Sequence, residues 1–415
     1  MKVSIIGAGR VGLVLAASLT KLGNKITLVD IHEDRIKEIN SKVSPIAEPG
    51  LDEVLKEFEI EASSNYGRVI DSDMIFVCVN TPSKEDGSIL LEHVIEAAKQ
   101  IADVLKRKAS YTLIVIKSTV VPGTAEDVIL PVLEKSGKKA GKDFGLCMTP
   151  EFLREGKGIE DFTHPARIII GEYDKKSGDM LYNLFQSFNA PILRTDLKTA
   201  EMTKYASNTF LTAKLSFINE IGNICKLLGL DVYEVAKGMG FDDRIGSKFL
   251  NAGIGFSGPC LPKDLKALIA RSKQIGYEPR LLEEVLNLNE RQVLKMLELL
   301  KKHISLEKSS IGLLGLSFKP GTDDVKESKA LTVVDILLKE GAKVKAYDPQ
   351  AMQNFKSLFP QVEYATPEEV LKCDAILILT EWEEFERLDY KGKIVIDGRR
   401  ILKAREARIY EGVCW

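Results

Sequence analysis

The chain has few of the residues that build covalent or metal-held scaffolds. Its six cysteines, at 78, 147, 225, 260, 373 and 414, are scattered with no CxxC pair among 415 residues. That spacing argues against both a disulfide framework and a thiolate metal centre. Four isolated histidines with no HExxH leave no expectation of zinc or any other metal. Neither sign of charge dominates: 58 Lys and Arg against 60 Asp and Glu give a net charge of -2, so neither nucleic acid nor an anionic membrane is expected as partner. Apolar runs are short and broken by charge, as in ILILTEWEEF, and none is long enough to span a bilayer. The amino terminus opens on strand-like KVSIIG and lacks the regions of a signal peptide, so a cytoplasmic protein is expected.

What is present is alternation. KVSIIGAGRVGLVLAASLTKLGNKITLVD reads as strand, glycine turn, helix, strand. Further strands are expected at MIFVCVN, TLIVIKST and ARIIIG, separated by helical material, which predicts an α/β domain over residues 1–198. From about Leu197 the period becomes helical for some thirty positions with no proline, predicting one long spine helix. With a second helix at LLEEVLNLNERQVLKMLELLKKH it would build a central helical domain over 199–305. After Ser310 the alternation returns in IGLLGL, AKVKAYDP, DAILILT and KIVIDG, predicting a second doubly wound domain over 306–415. Two such Rossmann-like domains joined by a spine would enclose a cleft, the usual place for a ligand.

Gly7, Gly9 and Gly12 form GxGxxG between a strand and a helix. In that context the turn needs Gly7, a pyrophosphate approaches the backbone at Gly9, and Gly12 lets the helix pack closely. Asp30 ends the next strand, placed to bond an adenosine ribose and to repel a 2'-phosphate, so NAD is preferred to NADP. A packing turn and an FAD site are the competing readings. The carboxyl-terminal segment GLLGLSFKPGTDD has no such fingerprint; Gly312 and Gly315 read as packing glycines, and Lys319 as either solvated or facing an anion.

Lys204 and Asn208 lie at i and i+4 on the spine helix, where they form either a wet face or a pair able to hold an oxyanion and a hydroxyl. In GFSGPCLPKD, residues 255–264, glycines precede Cys260, Pro262 suits the first helical residue, and Asp264 falls in the first turn. Cys260 is read either as an inert small side chain or as a thiolate favoured by the helix start. Beside a nicotinamide, such a thiolate suggests oxidation of a carbon held by sulfur. Glu151, in TPEFLREG, handles protons if burial raises its pKa; on the surface it would mean nothing.

The ordered set IKSTVVPGT, TPEFLREG, AEMTKYASNTFLTAKLSFINE, DRIGSKFLNAGIGFSGPCLPKD and GLSFKPGTDDVKES resembles the UDP-glucose/GDP-mannose dehydrogenase family. The likeness runs from Met1 to about Arg400. It implies two NAD-dependent hydride transfers that turn the C6 alcohol of a nucleotide sugar into a carboxylate, UDP-glucose being favoured over GDP-mannose. An NAD-bound scaffold without turnover is the reading from another class. By resemblance Cys260 is the nucleophile, Lys204 and Asn208 hold the oxyanion, Asp264 and Glu151 manage water and protons, and Thr119 bonds nearby. Cofactor contacts are implied for Gly7, Gly9, Arg10, Val11, Gly12, Asp30, Arg35, Thr81, Pro82, Thr119, Glu155, Lys263 and Lys326. Substrate contacts are implied for Glu151, Phe152, Leu153, Arg154, Glu155, Lys204, Asn208, Phe249, Leu250, Asn251, Gly255, Gly258, Phe318, Lys319 and Arg399, with Arg244 reaching the site of a neighbouring subunit. The central domain is implied to form a homodimer or a larger homo-oligomer. Ser257 stands where this family commonly has glycine.

Overall fold

The apolar run KVSII becomes the strand β1 (Lys2–Ile6), and its alternate residues feed two cores: Val3 and Ile5 pack in one cluster, Ile6 in another. Both faces of the strand are therefore dry, which is why the run is continuous rather than alternating. The computed structural model describes residues 1–415 and divides into two compact units, Met1–Ser207 and Asn208–Trp415.

In the first unit β1 is joined by β2 (Lys25–Val29), β3 (Ile60–Ser63), β4 (Met74–Val77), β5 (Leu113–Ile116), β6 (Gly145–Met148), β7 (Ile168–Glu172) and β8 (Ile192–Thr195). They form one sheet in the order β3-β2-β1-β4-β5-β6-β7-β8, parallel except where β6 meets β7. The alternating α/β fold expected here is what forms, with β3, β6 and β8 added to the strands read from sequence.

The 32-residue helix Leu197–Leu228 is unbroken, as its period predicts. In the second unit it is followed by helices Val232–Gly240, Leu261–Gln274 and Arg280–Lys301. The second sheet follows, from β9 (Ser310–Leu314), β10 (Lys343–Tyr347), β11 (Glu363–Tyr364), β12 (Ala375–Ile378), β13 (Ile394–Asp397) and β14 (Ile409–Gly412), all parallel, in the order β11-β10-β9-β12-β13-β14. Ile218, Val293, Met296 and Leu300 of the helices share a core with Ile311, Leu313 and Leu377 of the sheet. Helices and sheet thus pack as one body.

The second sheet repeats the strand order of the first six strands of the first. Each central strand ends in a left-handed glycine, Gly7 at φ 101° and Gly315 at φ 97°. Each neighbouring strand is followed by a buried aspartate, Asp30 and Asp348. The two have diverged at that carboxylate. One oxygen of Asp348 accepts from Leu316 N (2.7 Å), Ser317 N (3.0 Å), Ser317 Oγ (2.9 Å) and Trp382 Nε1 (3.1 Å), which leaves no lone pair for a ribose there. A Cβ on Gly315 would lie 2.5 Å from Cβ of Thr380, in keeping with a packing role.

Gly12 lies inside the helix Arg10–Lys21, where alanine would ordinarily stabilise by roughly 1 kcal/mol. Here a Cβ would sit 1.9 Å from Gly7 O. Gly12→Ala should therefore destabilise by about 1–3 kcal/mol through overpacking and weaken NAD binding. Thermal unfolding followed by circular dichroism checks this; an unchanged or raised Tm would contradict it.

Candidate functional site

The glycine fingerprint forms the turn its spacing requires. Gly7 N donates to Val29 O (2.7 Å), and a Cβ there would fall 2.8 Å from Cys78 O. Gly9 faces open space, since a Cβ added to it would meet no heavy atom nearer than 3.9 Å, and no side chain caps the helix that starts after it. Its first N–H groups are thus available to an anion. Asp30 is buried and accepts from Ala8 N (2.6 Å) and His32 N (2.9 Å), leaving lone pairs for sugar hydroxyls. Arg35 stands 3.8 Å from it. These groups line a cleft of about 150 Å³ together with Tyr66, Asn80 and His93, which carry no sequence motif. Burial, with Glu96 and Asp30 nearby, pushes the Tyr66 phenol up to about 12, so it stays a neutral donor. Glycine turn, helix start and carboxylate together fit an NAD molecule.

Arg10, a cofactor contact by resemblance, has its side chain in an ion-pair network. Its guanidinium bridges Glu48 (3.2 Å) and Glu155 (3.0 Å). Glu48 also accepts from Gly158 N (2.6 Å) and Gly156 N (3.3 Å), so it ties the segment after Glu151 to the fingerprint helix. Nothing in the sequence marks Glu48. Thr81 and Thr119 come together, Thr81 Oγ1 donating to Thr119 O (2.9 Å).

Glu151 and Lys204 meet as a buried pair in the first unit. Lys204 Nζ lies 2.9 Å from Glu151 Oε1, with side-chain exposures of 5% and 10%. Leu153 N donates to Glu151 Oε2 (2.6 Å), and the Phe152 ring lies 5.3 Å from Lys204 Nζ and 3.8 Å from the Arg167 guanidinium. Burial pushes the Glu151 carboxyl up, but Lys204, the Leu153 N–H and Lys117 outweigh it and hold it below the usual carboxylate range. The sequence leaves open whether burial raises this pKa; the direction is set by a lysine 53 positions away that spacing does not pair with it. Glu151 rests as a proton acceptor. Lys117 is itself buried, and its ammonium is pushed down by that burial.

Cys260 is the one exposed cysteine; the other five are buried. It occupies the N-cap of helix Leu261–Gln274, so the helix starts at Leu261 and Pro262 is its second residue, one later than the composition suggests. Asp264, 1% exposed, closes the first turn with its N–H on Cys260 O (2.9 Å). Its carboxylate is gripped from two sides, by Asn208 Nδ2 (2.6 Å) and Lys263 Nζ (2.7 Å). The approach to Cys260 needs left-handed glycines: Gly258 (φ 88°) lies against the Phe318 ring, where a Cβ would come within 2.6 Å. Ser257 uses its hydroxyl on Phe318 O (3.2 Å).

The remaining implied residues are divided. Phe249 is 40% exposed and held at φ 62°, whereas Leu250 is buried in the core of the second unit. Arg399 Nε bonds Leu379 O (2.9 Å) and lies 3.4 Å from Glu381. Arg154 is exposed and paired with Asp161, and Arg244 with Asp242. Lys319 sits over the Phe318 ring at 5.6 Å, and Lys326 and Asn251 face solvent.

Three family models cover the chain in sequence. Residues 1–189 match the NAD binding domain of the UDP-glucose/GDP-mannose dehydrogenase family, 198–291 its central domain and 312–404 its UDP binding domain. The chain is 42% identical to the UDP-glucose 6-dehydrogenase AglM of Haloferax volcanii over 100% of both chains. It is 35% identical to a GDP-mannose 6-dehydrogenase of Pseudomonas aeruginosa, again over 100% of both. A UDP-glucose dehydrogenase structure from Pyrobaculum islandicum superposes with a TM-score of 0.96 at 38% identity, covering 100% of this chain and 98% of that one.

The buried pair yields a test. With its pKa depressed, Glu151 contributes stability above the unfolded carboxylate pKa, and loses it as pH falls through the folded value. Lys204→Met removes the main counter-charge and should cost about 3–5 kcal/mol at pH 8. Burial then raises the Glu151 pKa, so the deficit should shrink toward pH 5, and Lys204→Met with Glu151→Gln should recover much of it. Calorimetry at both pH values checks this; an equal loss at each would contradict it.

Proposed function

Because the chain belongs to the UDP-glucose/GDP-mannose dehydrogenase family, we propose that it oxidises UDP-glucose at C6 to UDP-glucuronate, with two NAD reduced and one water consumed per sugar. It is an NAD-dependent oxidoreductase. UDP-glucose is preferred to GDP-mannose because the chain is 42% identical to a UDP-glucose enzyme and 35% to a GDP-mannose one. The observation that carries the reading is the exposed Cys260 at a helix start, in a chain that also holds a dinucleotide fingerprint.

NAD, when bound, supplies the electron acceptor for both oxidations. Gly7, Gly9 and Asp30 would hold it, with Arg35 lining the same cleft; Gly12, Thr81 and Thr119 are assigned to it by the family resemblance. The protein's own groups then manage the carbon. Asp264, gripped between Asn208 and Lys263, is assigned to receive the proton of the C6 hydroxyl, relayed through water. The resulting aldehyde has no second hydride to give until something adds to it. Cys260 Sγ adds, forming a thiohemiacetal; by the family resemblance the role of stabilising its oxygen falls to Lys204 and to the second amide hydrogen of Asn208. Oxidation of that adduct leaves a thioester on Cys260. Glu151, resting as a carboxylate, takes a proton from the water that releases the acid.

Phe249, the glycine loop, Phe318, Lys319 and Arg399 are assigned to the nucleotide sugar, and Lys263 and Lys326 to the cofactor. The chain is read as three domains, 1–198, 199–305 and 306–415, and as a cytoplasmic protein; no helix is long and apolar enough to cross a membrane. Phe210, Phe217 and Ile224, 66%, 53% and 48% exposed, recur every seven residues along the helix Leu197–Leu228. Such an apolar stripe supports a homodimer built on the central segment, with Arg244 reaching the second copy.

A panel of UDP-glucose, GDP-mannose and UDP-N-acetylmannosamine with NAD and NADP tests the reaction. UDP-glucose with NAD should give two NADH per sugar at completion. Cys260→Ala should abolish acid formation while leaving NAD binding intact. Rapid acid production by that variant would remove Cys260 from the mechanism, and two-electron stoichiometry would remove the reaction itself.

A further inference from the structure

The backbone from Ala252 to Phe256 is buried, yet it belongs to neither helix nor strand. Its polar groups have no ladder to satisfy them, and buried N–H and C=O groups left without partners are costly. Ile254 N donates to Gly398 O (3.3 Å), and side chains of three helices take up the groups on either side of it. Tyr233 Oη donates to Ala252 O (2.7 Å). Asn219 Oδ1 accepts from Gly253 N (2.8 Å), and Gln292 Nε2 donates to Gly253 O (2.8 Å). Asn289 takes both groups of Phe256: Oδ1 accepts from its N–H (2.7 Å) and Nδ2 donates to its C=O (3.1 Å).

Asn219, Asn289 and Gln292 are 1%, 3% and 0% exposed. Asn289 and Gln292 lie three positions apart on one face of the helix Arg280–Lys301. The fit around Asn289 is tight on both sides. Gly255 is left-handed, and a Cβ on it would lie 2.4 Å from Asn289 Oδ1. The main-chain oxygen of Asn289 in turn accepts from Lys329 Nζ (3.2 Å), at the start of the helix Lys329–Lys339. Four residues after Phe256 comes Cys260. Between them Gly258 rests on the Phe318 ring, so the loop has few ways to deliver the thiol to its helix start.

We propose that Asn289 is a positioning residue for Cys260: by pairing both polar groups of Phe256 it fixes the loop that presents the thiol at the amino end of its helix. Gln292 and Asn219 fix the same loop one step earlier, at Gly253. The inference rests on Cys260 being the nucleophile, but it does not need turnover to be tested.

The test compares Asn289→Leu, which abandons both groups of Phe256, with Asn289→Asp, which keeps the acceptor for its N–H. Cys260 is the exposed cysteine, so its alkylation by iodoacetamide can be followed by peptide mass in the whole protein. Asn289→Leu should slow that alkylation and lower kcat/KM for UDP-glucose by about tenfold or more, the penalty of stranded buried groups. Asn289→Asp should fall between it and the wild type, and the KM for NAD should stay unchanged in both. Should the leucine variant not fold, Asn289→Asp and hydrogen exchange at the Phe256 amide decide alone. Slowed alkylation in a protein that oxidises no nucleotide sugar would keep the positioning role and remove the proposed reaction. Alkylation within about twofold of wild type in a folded variant, or a parallel rise in the KM for NAD, would overturn the proposal.

Discussion

A sulfur at the amino end of a helix sits among N–H groups that have no partner within the helix, and their partial positive charge favours the thiolate. The chemistry assigned to the chain depends on that placement. Five of six cysteines are buried, and among them desolvation pushes the Cys78, Cys414 and Cys147 thiols well up. Cys260 alone combines exposure with a helix start. The conditions that make it usable are not those of a core residue, and the surrounding structure has to supply them.

It does so with buried polar groups held in fixed pairs. Glu151 keeps its charge because Lys204 and Leu153 N–H outweigh the cost of burial. Asp264 keeps two donors, and the Asn208 amide that serves it has a second hydrogen to spare. The loop before Cys260 is held chiefly by side chains of the neighbouring helices, Tyr233, Asn219, Asn289 and Gln292. In each case a polar group that would destabilise the core if stranded is matched, and the match sets its orientation.

Much of the fold is legible in the sequence, because long periodic segments carry their own signal. KVSII, MIFV, LIVI and the uninterrupted period of the helix Leu197–Leu228 are visible for that reason. The edge strands β3 and β11 are not: Ile60–Ser63 and Glu363–Tyr364 are two to four residues, partly exposed, with no apolar run. The repeat of strand order between the two sheets is hidden because strand order lives in backbone pairing and left-handed glycines, not in side-chain identity. At the candidate site, Cys260, Asp264 and the glycine turn are legible from local spacing. Glu48, Asn289 and Gln292 are not, since each acts on backbone more than thirty residues away. The direction of the Glu151 pKa is hidden for the same reason.

The central claim is covalent: the substrate carbon is held by the residue at position 260 between its two oxidations. Cys260→Ser tests it most directly, because an oxygen ester gives up its acyl group to water less readily than a thioester. After incubation with UDP-glucose and NAD and an acid quench, intact mass should show this variant carrying one UDP-glucuronosyl group, mapped by peptide mass to position 260. Protein that turns over the sugar at a measurable rate yet stays at its unmodified mass, with the label absent from that peptide, would contradict the account.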